Sequence, residues 1–238
     1  MRMLVTKIRT VLIVLLLATL LITPSACYGD VETENYNFSD FNDVMISSAF
    51  KVEITQDSSY SVSVTVDADK MELIRVTKEG DQLIIGINPH LVPVDFHTLE
   101  AKITMPDITG LTLAGATSCD LQGFSFPHEF SLNLSGASRI SGDLDAGDVH
   151  FIVSGASTVQ IKGTANDMLA DVSGASNMNL SSFELNNANI YLSGASKGNI
   201  KLNGTLDASL SGASKLTYKG SPTLGNVNTF GSSTINKG

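Results

Sequence analysis

Val153-Ser154-Gly155-Ala156-Ser157 is followed by Val172-Ser173-Gly174-Ala175-Ser176, and the same phrase runs outward from this pair in both directions. Upstream stand Leu134-Ser135-Gly136-Ala137-Ser138 and Leu113-Ala114-Gly115-Ala116-Thr117. Downstream stand Leu192-Ser193-Gly194-Ala195-Ser196, Leu210-Ser211-Gly212-Ala213-Ser214 and a worn copy, Thr229-Phe230-Gly231-Ser232-Ser233. The glycines Gly115, Gly136, Gly155, Gly174, Gly194, Gly212 and Gly231 are 21, 19, 19, 20, 18 and 19 residues apart. A period of about 19 residues held through seven copies is that of a solenoid whose coils stack on one another.

Aligning the copies on their glycines shows what one coil contains. Four residues before the glycine come Leu111, Leu132, Phe151, Ala170, Ile190, Ala208 and Val227. Two before it come Leu113, Leu134, Val153, Val172, Leu192, Leu210 and Thr229. Beyond the bend, Cys119, Ile140, Val159, Met178, Gly198, Leu216 and Ile235 resume the alternation. Apolar positions at a period of two, interrupted by Gly-Ala-Ser, describe two short strands joined by a bend. A helix would need a period of 3.6, and a leucine-rich repeat a richer leucine consensus. One such coil buries too little to offset the entropy of ordering it, so each needs its neighbours. The expected fold is all-β: a parallel β-helix (β-solenoid) with coils of about 19 residues. It should be right-handed, the hand that parallel crossovers favour. The seven glycines are expected as structural turns, because glycine enters the left-handed backbone region without strain.

The chain has 238 residues and a formal charge of −9. Arg2, Lys7 and Arg9 precede the apolar run Val11 to Ile22, and Thr23-Pro24-Ser25-Ala26-Cys27 follows. A basic start, a short apolar stretch and a small-residue exit make a secretory signal peptide over residues 1–27. Ser25-Ala26-Cys27 also resembles a lipobox, in which Cys27 would be lipidated. Ordinary cleavage nearby, for instance after Gly29, would instead remove Cys27. Loss of the three basic residues with the signal takes the charge from −9 to −12. Such a surface repels phosphate, so nucleic acid is not an expected partner.

Residues 31–110 have a different texture from the regular coils of 111–238. Phe50, Val52 and Ile54 alternate, as do Val62, Val64 and Val66, but the coil period is not visible. Lys78-Glu79-Gly80-Asp81 reads as a hairpin turn between Leu73–Val76 and Leu83–Ile87. Asn88-Pro89-His90-Leu91-Val92-Pro93 reads as a loop, since two prolines withdraw ladder donors. This β segment is expected to cap the rod or to form degenerate first coils, covering one open end.

Phe41-Asn42-Asp43-Val44, Phe50-Lys51-Val52-Glu53-Ile54-Thr55-Gln56-Asp57, Val62-Ser63-Val64 and Lys102-Ile103-Thr104-Met105-Pro106 precede the serial Leu-Ser-Gly-Ala-Ser phrase. Together they resemble the auto-transporter adhesin, head GIN domain family of exported bacterial proteins, from about Asn37 to Gly231. The resemblance implies a right-handed β-helix of the cell envelope, often a lipoprotein or secreted, with an adhesin-like role. It carries no catalytic residues.

Read for chemistry, the acidic group Asp143, Asp145, Asp148 and His150 is the best candidate for a catalytic site. Paired carboxylates could serve glycoside hydrolysis, yet acids on a turn are more often simply solvated. Asp120, Asp167, Asp171 and Asp207 occupy different coil positions. His90, His97, His128 and His150 lack zinc spacing, and no calcium-loading nonapeptide repeats, so neither a metal nor a cofactor is expected. Cys119 falls in an inward column and reads as a small buried hydrophobe. Phe124, Phe126 and Phe130 read as core beneath a loop. The outward positions are rich in Ser, Thr and Asn, which suits contacts with glycans or envelope proteins. The expected function is therefore a non-catalytic cell-envelope binding or structural module. The alternatives are a polysaccharide-acting β-helix enzyme and an envelope-regulatory accessory protein.

Overall fold

The computed structural model describes residues 29–88 and 95–238. The signal-peptide reading, Cys27 and all of the Asn88–Pro93 loop reading except Asn88 lie outside the described residues. The chain forms β1 (Val31–Tyr36), β2 (Asp43–Ile46), β3 (Lys51–Gln56), β4 (Ser61–Asp67), β5 (Ile74–Glu79), β6 (Gln82–Ile87) and β7 (Leu99–Met105). The repeat region adds β8 (Gly110–Leu113), β9 (Ser118–Ser125), β10 (Phe130–Leu134), β11 (Arg139–Asp145), β12 (Val149–Val153) and β13 (Thr158–Val172). It ends with β14 (Asn177–Leu192), β15 (Lys197–Leu202), β16 (Thr205–Leu210), β17 (Lys215–Gly220), β18 (Thr223–Thr229) and β19 (Thr234–Lys237). One 3-10 turn, Ala68–Leu73, precedes β5.

The coils stack in register, as the columns require. On the face before each bend, Leu113 pairs with Leu134, Leu134 with Val153, Val153 with Val172, Val172 with Leu192 and Leu192 with Leu210, all in parallel. On the face after it, Cys119 pairs with Ile140, Ile140 with Val159 and Val159 with Met178. The long strands β13 and β14 run through both faces without a break. Inward side chains from successive coils merge into one buried cluster from Phe41 to Leu216, and the last coil, β18 and β19, lies largely exposed over it.

The bends keep the ladder going. Ala175 N–H donates to the Gly155 carbonyl at 2.8 Å, and Ala195 N–H to Gly174 at 2.8 Å, so each glycine accepts from the coil above. Gly174 has φ +73°, and a Cβ there would stand 2.4 Å from the Gly155 carbonyl oxygen. Both the left-handed backbone and this contact exclude a larger residue. The last residue of the first six phrases turns inward: Thr117, Ser138, Ser157, Ser176, Ser196 and Ser214 are all buried. Several bond back to the carbonyl three residues earlier, as Ser138 Oγ does to Ser135 at 2.8 Å. Such local bonds satisfy a hydroxyl that would otherwise be costly to bury.

Spatial order departs from chain order at the front. β2 and β3 pair with β8 and β9, so Val44 lies beside Leu111 and Val52 beside Cys119. On their other edge lie β6 and β7, with Ile85 beside Ile46 and Ala101 beside Val52. The chain therefore leaves after β3, and β6–β7 stacks parallel on the far side of it. β5 pairs antiparallel with β6, β4 with β7 and β1 with β4. The Gly80 turn between β5 and β6 has φ +61°, matching the hairpin expected there. Tyr36, Phe38, Tyr60, Met71, Ile74 and Val76 pack partly buried against the core at this end.

Candidate functional site

Of the acidic group singled out in the sequence, Asp143 and Asp145 share the outer side of β11 and Asp148 lies beyond its end. Asp143 lies on the outer side of β11, where its Oδ2 accepts the Gly123 N–H at 2.9 Å; its Oδ1 is 3.9 Å from Lys162 Nζ. Asp145 accepts the Thr164 hydroxyl at 2.8 Å, and Asp148 accepts the Asp167 N–H at 3.2 Å. Each carboxylate thus ties its coil to an adjacent one. His150 sits on β12, on the other face, between Ser131 and Leu169. Among the described residues, no three His, Cys, Asp or Glu side chains converge on a point that could hold a metal ion.

Other titratable groups serve the fold. Cys119 is buried, and burial pushes its thiol far above its usual pKa, with the Asp120 charge adding to the shift. A thiol that stays protonated is a poor nucleophile. Asp67 is buried and accepts Lys70 Nζ at 2.7 Å, His97 N–H at 2.9 Å and Thr98 N–H at 3.0 Å. The Lys70 hydrogen bond foremost, then those amides, hold its carboxyl well below the usual carboxylate range. Phe124 and Phe130 are core, while half-buried Phe126 stacks on the His128 ring at 4.2 Å and 6°. Partial burial alone would lower the His128 pKa. The Glu129 carbonyl at Nδ1 and the Asp107 carboxylate at Nε2 outweigh that and raise it.

The outer surface of the face after the bends carries the polar row. Asp120, Ser141, Gln160, Asn179, Asn199, Thr217 and Asn236 lie side by side on successive strands. Two irregularities frame part of it. In β9, Leu121 pairs with Gly142 and Phe124 with Leu144, so Gln122 and Gly123 share the space opposite Asp143. In β14, Asn179 pairs with Gln160 and Phe183 with Gly163, so residues 180–182 face only residues 161 and 162. Each strand carries one extra residue, a β-bulge that bends it locally. Between them β11 and β13 pair without a shift. At Gly142, with φ +137°, a Cβ would fall 1.9 Å from the Leu121 carbonyl oxygen, so the backbones of β9 and β11 approach closely here. A groove of about 850 Å³ results, lined by Asp120, Gln122, Asp143, Gln160, Lys162 and Asn179 among others.

The opposite face differs from the polar flank expected. Ile152, Leu169 and Tyr191 are exposed on β12, β13 and β14, beside His150, Asp171 and Asn189. Their outward parity in the alternating pattern was a signal in the sequence that a focus on Ser, Thr and Asn passed over.

Comparisons place this geometry among known folds. A crystal structure described as a "putative adhesin" from Bacteroides fragilis superposes with a TM-score of 0.82 at 19% identity, covering 87% of this chain and 97% of that one. One described as a "putative lipid binding protein" from Parabacteroides distasonis gives 0.69 at 18% identity, covering 89% and 98%. A "putative adhesin" from Parabacteroides merdae gives 0.67 at 16%, covering 89% and 97%. At these identities the likeness is one of fold. No functionally curated protein matches the chain. The sequence profile of the family described as "Putative auto-transporter adhesin, head GIN domain" matches residues 40–222, and the chain belongs to that family.

Proposed function

We propose that this protein is an exported, non-catalytic module of the cell-envelope surface that acts by adhesion, presenting a rigid rod to glycans or to another envelope protein. The observation that carries the reading is the outward row from Asp120 to Asn236, repeated coil by coil on a backbone locked by the ladder. Rows of hydroxyls, amides and carboxylates at a fixed rise suit many weak, repeated contacts, which gain strength by multivalency. The family description, and the adhesin descriptions of two structural relatives, support the same reading. Nothing favours the enzyme alternative, since the carboxylates of its candidate group are separately engaged in bonds between coils.

In this reading the coils wind right-handed, following the general bias of parallel crossovers. The segment 31–110 supplies a cap, with β1, β4, β5 and the 3-10 turn closing one end over regular coils at 111–238. Its edge strands carry Glu32, Glu34, Arg75 and Lys78, charges that discourage further pairing.

Purified mature protein is expected to be retained saturably by bacterial or host envelope fractions; no retention on any fraction contradicts adhesion. Mass spectrometry of the mature N-terminus tests the route to the surface. A diacylglyceryl mass on Cys27 identifies a tethered protein, and an end after Gly29 a released one. An intact Met1 terminus contradicts cleavage of the signal and leaves the apolar run Val11 to Ile22 as an uncleaved anchor.

A further inference from the structure

We propose that the groove between the β9 and β14 bulges binds about three residues of an uncharged oligosaccharide, laid along the solenoid axis from one wall to the other. This rests on the adhesive reading above and assigns it a place and a ligand class.

The walls are built rather than incidental. Gln122 and Gly123 form one, pinned by the Gly123 N–H bond to Asp143, and residues 180–182 form the other. Three coil steps at about 4.8 Å put the walls about 14 Å apart, measured along the axis. The groove, about 850 Å³, is open to solvent on one side and has room for a short oligosaccharide.

The lining selects the chemistry. Asp120 and Asp143 keep unused lone pairs on their carboxylate oxygens beside the bonds they already accept, and these accept strongly from neutral hydroxyls. Gln160 and Asn179 each both donate and accept, and Lys162 donates. Asp120 is itself held by Gln122 Nε2 at 2.7 Å, so this acceptor is oriented before any ligand arrives. Two carboxylates against one ammonium disfavour a polyanion such as a sulfated or uronic-acid chain. The groove lining contains no aromatic ring, so binding rests on hydrogen bonds rather than stacking. Hydroxyls, which donate and accept alike, satisfy this mixed lining better than any single charged group. A strand along the axis meets the same polar row again at each coil, a rise of about 4.8 Å that suits roughly one pyranose residue per coil.

The test is binding of the full mature chain to a printed array of neutral, amino and acidic oligosaccharides, with envelope-fraction retention measured alongside. Neutral oligosaccharides should bind, with gains from added length levelling off once the span between the walls is filled. Gln160→Ala and Lys162→Ala should each weaken this binding about tenfold, and deletion of Gly123, which removes the extra wall residue, should abolish it. Tyr191→Ala, on the opposite face, should leave it unchanged. Circular dichroism establishes that each variant is folded, and Gln160→Ala carries the test if the deletion is not. Unchanged glycan binding in Gln160→Ala, loss in Tyr191→Ala, or binding confined to acidic glycans overturns the groove assignment, while retention on envelope fractions keeps the adhesive reading intact. Absence of both glycan binding and envelope retention overturns both.

Discussion

Gly174→Val is expected to lower the urea midpoint far more than Asn177→Val, three residues away. Gly174 has φ +73°, where an L-residue costs about 1–2 kcal/mol and a β-branched one more. Its Cβ would also meet the Gly155 carbonyl oxygen at 2.4 Å, and relieving that overlap adds about 1–3 kcal/mol. The displaced carbonyl is the one to which Ala175 N–H donates, so the strain falls on the ladder itself. Asn177 is exposed at the start of β14, and a change there should stay within about 0.5 kcal/mol. Equal midpoints, or a milder Gly174→Val, would show that the bends do not depend on glycine.

Phe151→Ala should cost about 3–5 kcal/mol, whereas Ile152→Ala beside it should cost about 0.5 kcal/mol or less. Phe151 is fully buried between Leu132 below and Ala170 above, and its ring meets Phe130 edge-on at 6.4 Å. Small Ala170 makes room for the large ring, so truncation leaves a cavity that the stacked backbones cannot collapse to fill. In a solenoid each coil is stabilised by its neighbours, and the loss weakens both interfaces of the coil. Ile152 is 40% exposed on the outer side of the same strand. Denaturation of the two variants reads the strand's facing directly. A larger loss at Ile152 would mean a register slipped by one residue, which exchanges inside and outside along the whole strand.

The region after Leu111 was legible because one rule, the same side chain over itself in each coil, is written in the sequence seven times. Before it the rule holds in space but not along the chain. The bend between β2 and β3 contains Ser48 and Ala49 in place of a Gly-Ala pair, with φ +75° and +66°. They lie under Gly115, whose Cβ would approach Ser48 N to 3.1 Å, yet no glycine marks the spot. The β6–β7 layer is interleaved out of chain order, so a fixed period could not reveal it. The antiparallel pairing of β1, β4 and β5 left only alternation, which is the same for either strand direction. At the site, both bulged stretches fall within the two longest glycine intervals, 21 and 20 residues, with the two regular 19-residue intervals between them. Length alone marks an extra residue but not the face on which it protrudes; that needed the pairing of Leu121 with Gly142 and of Phe183 with Gly163. The acidic group misled for a related reason. Asp143 and Asp145 share a strand and Asp148 follows after a turn, and each carboxylate accepts from a different neighbour in an adjacent coil.

The vertical stacking of coils is tested most directly by methyl–methyl NOE spectroscopy on protein labelled at Val and Leu methyls. Val153 and Val172 pair across adjacent strands, as do Val172 and Leu192, whereas Val153 and Leu192 are two steps apart at about 10 Å. Strong cross-peaks for the two adjacent pairs, with none between Val153 and Leu192, are the predicted result. Absence of a Val153–Val172 cross-peak in folded protein would contradict it.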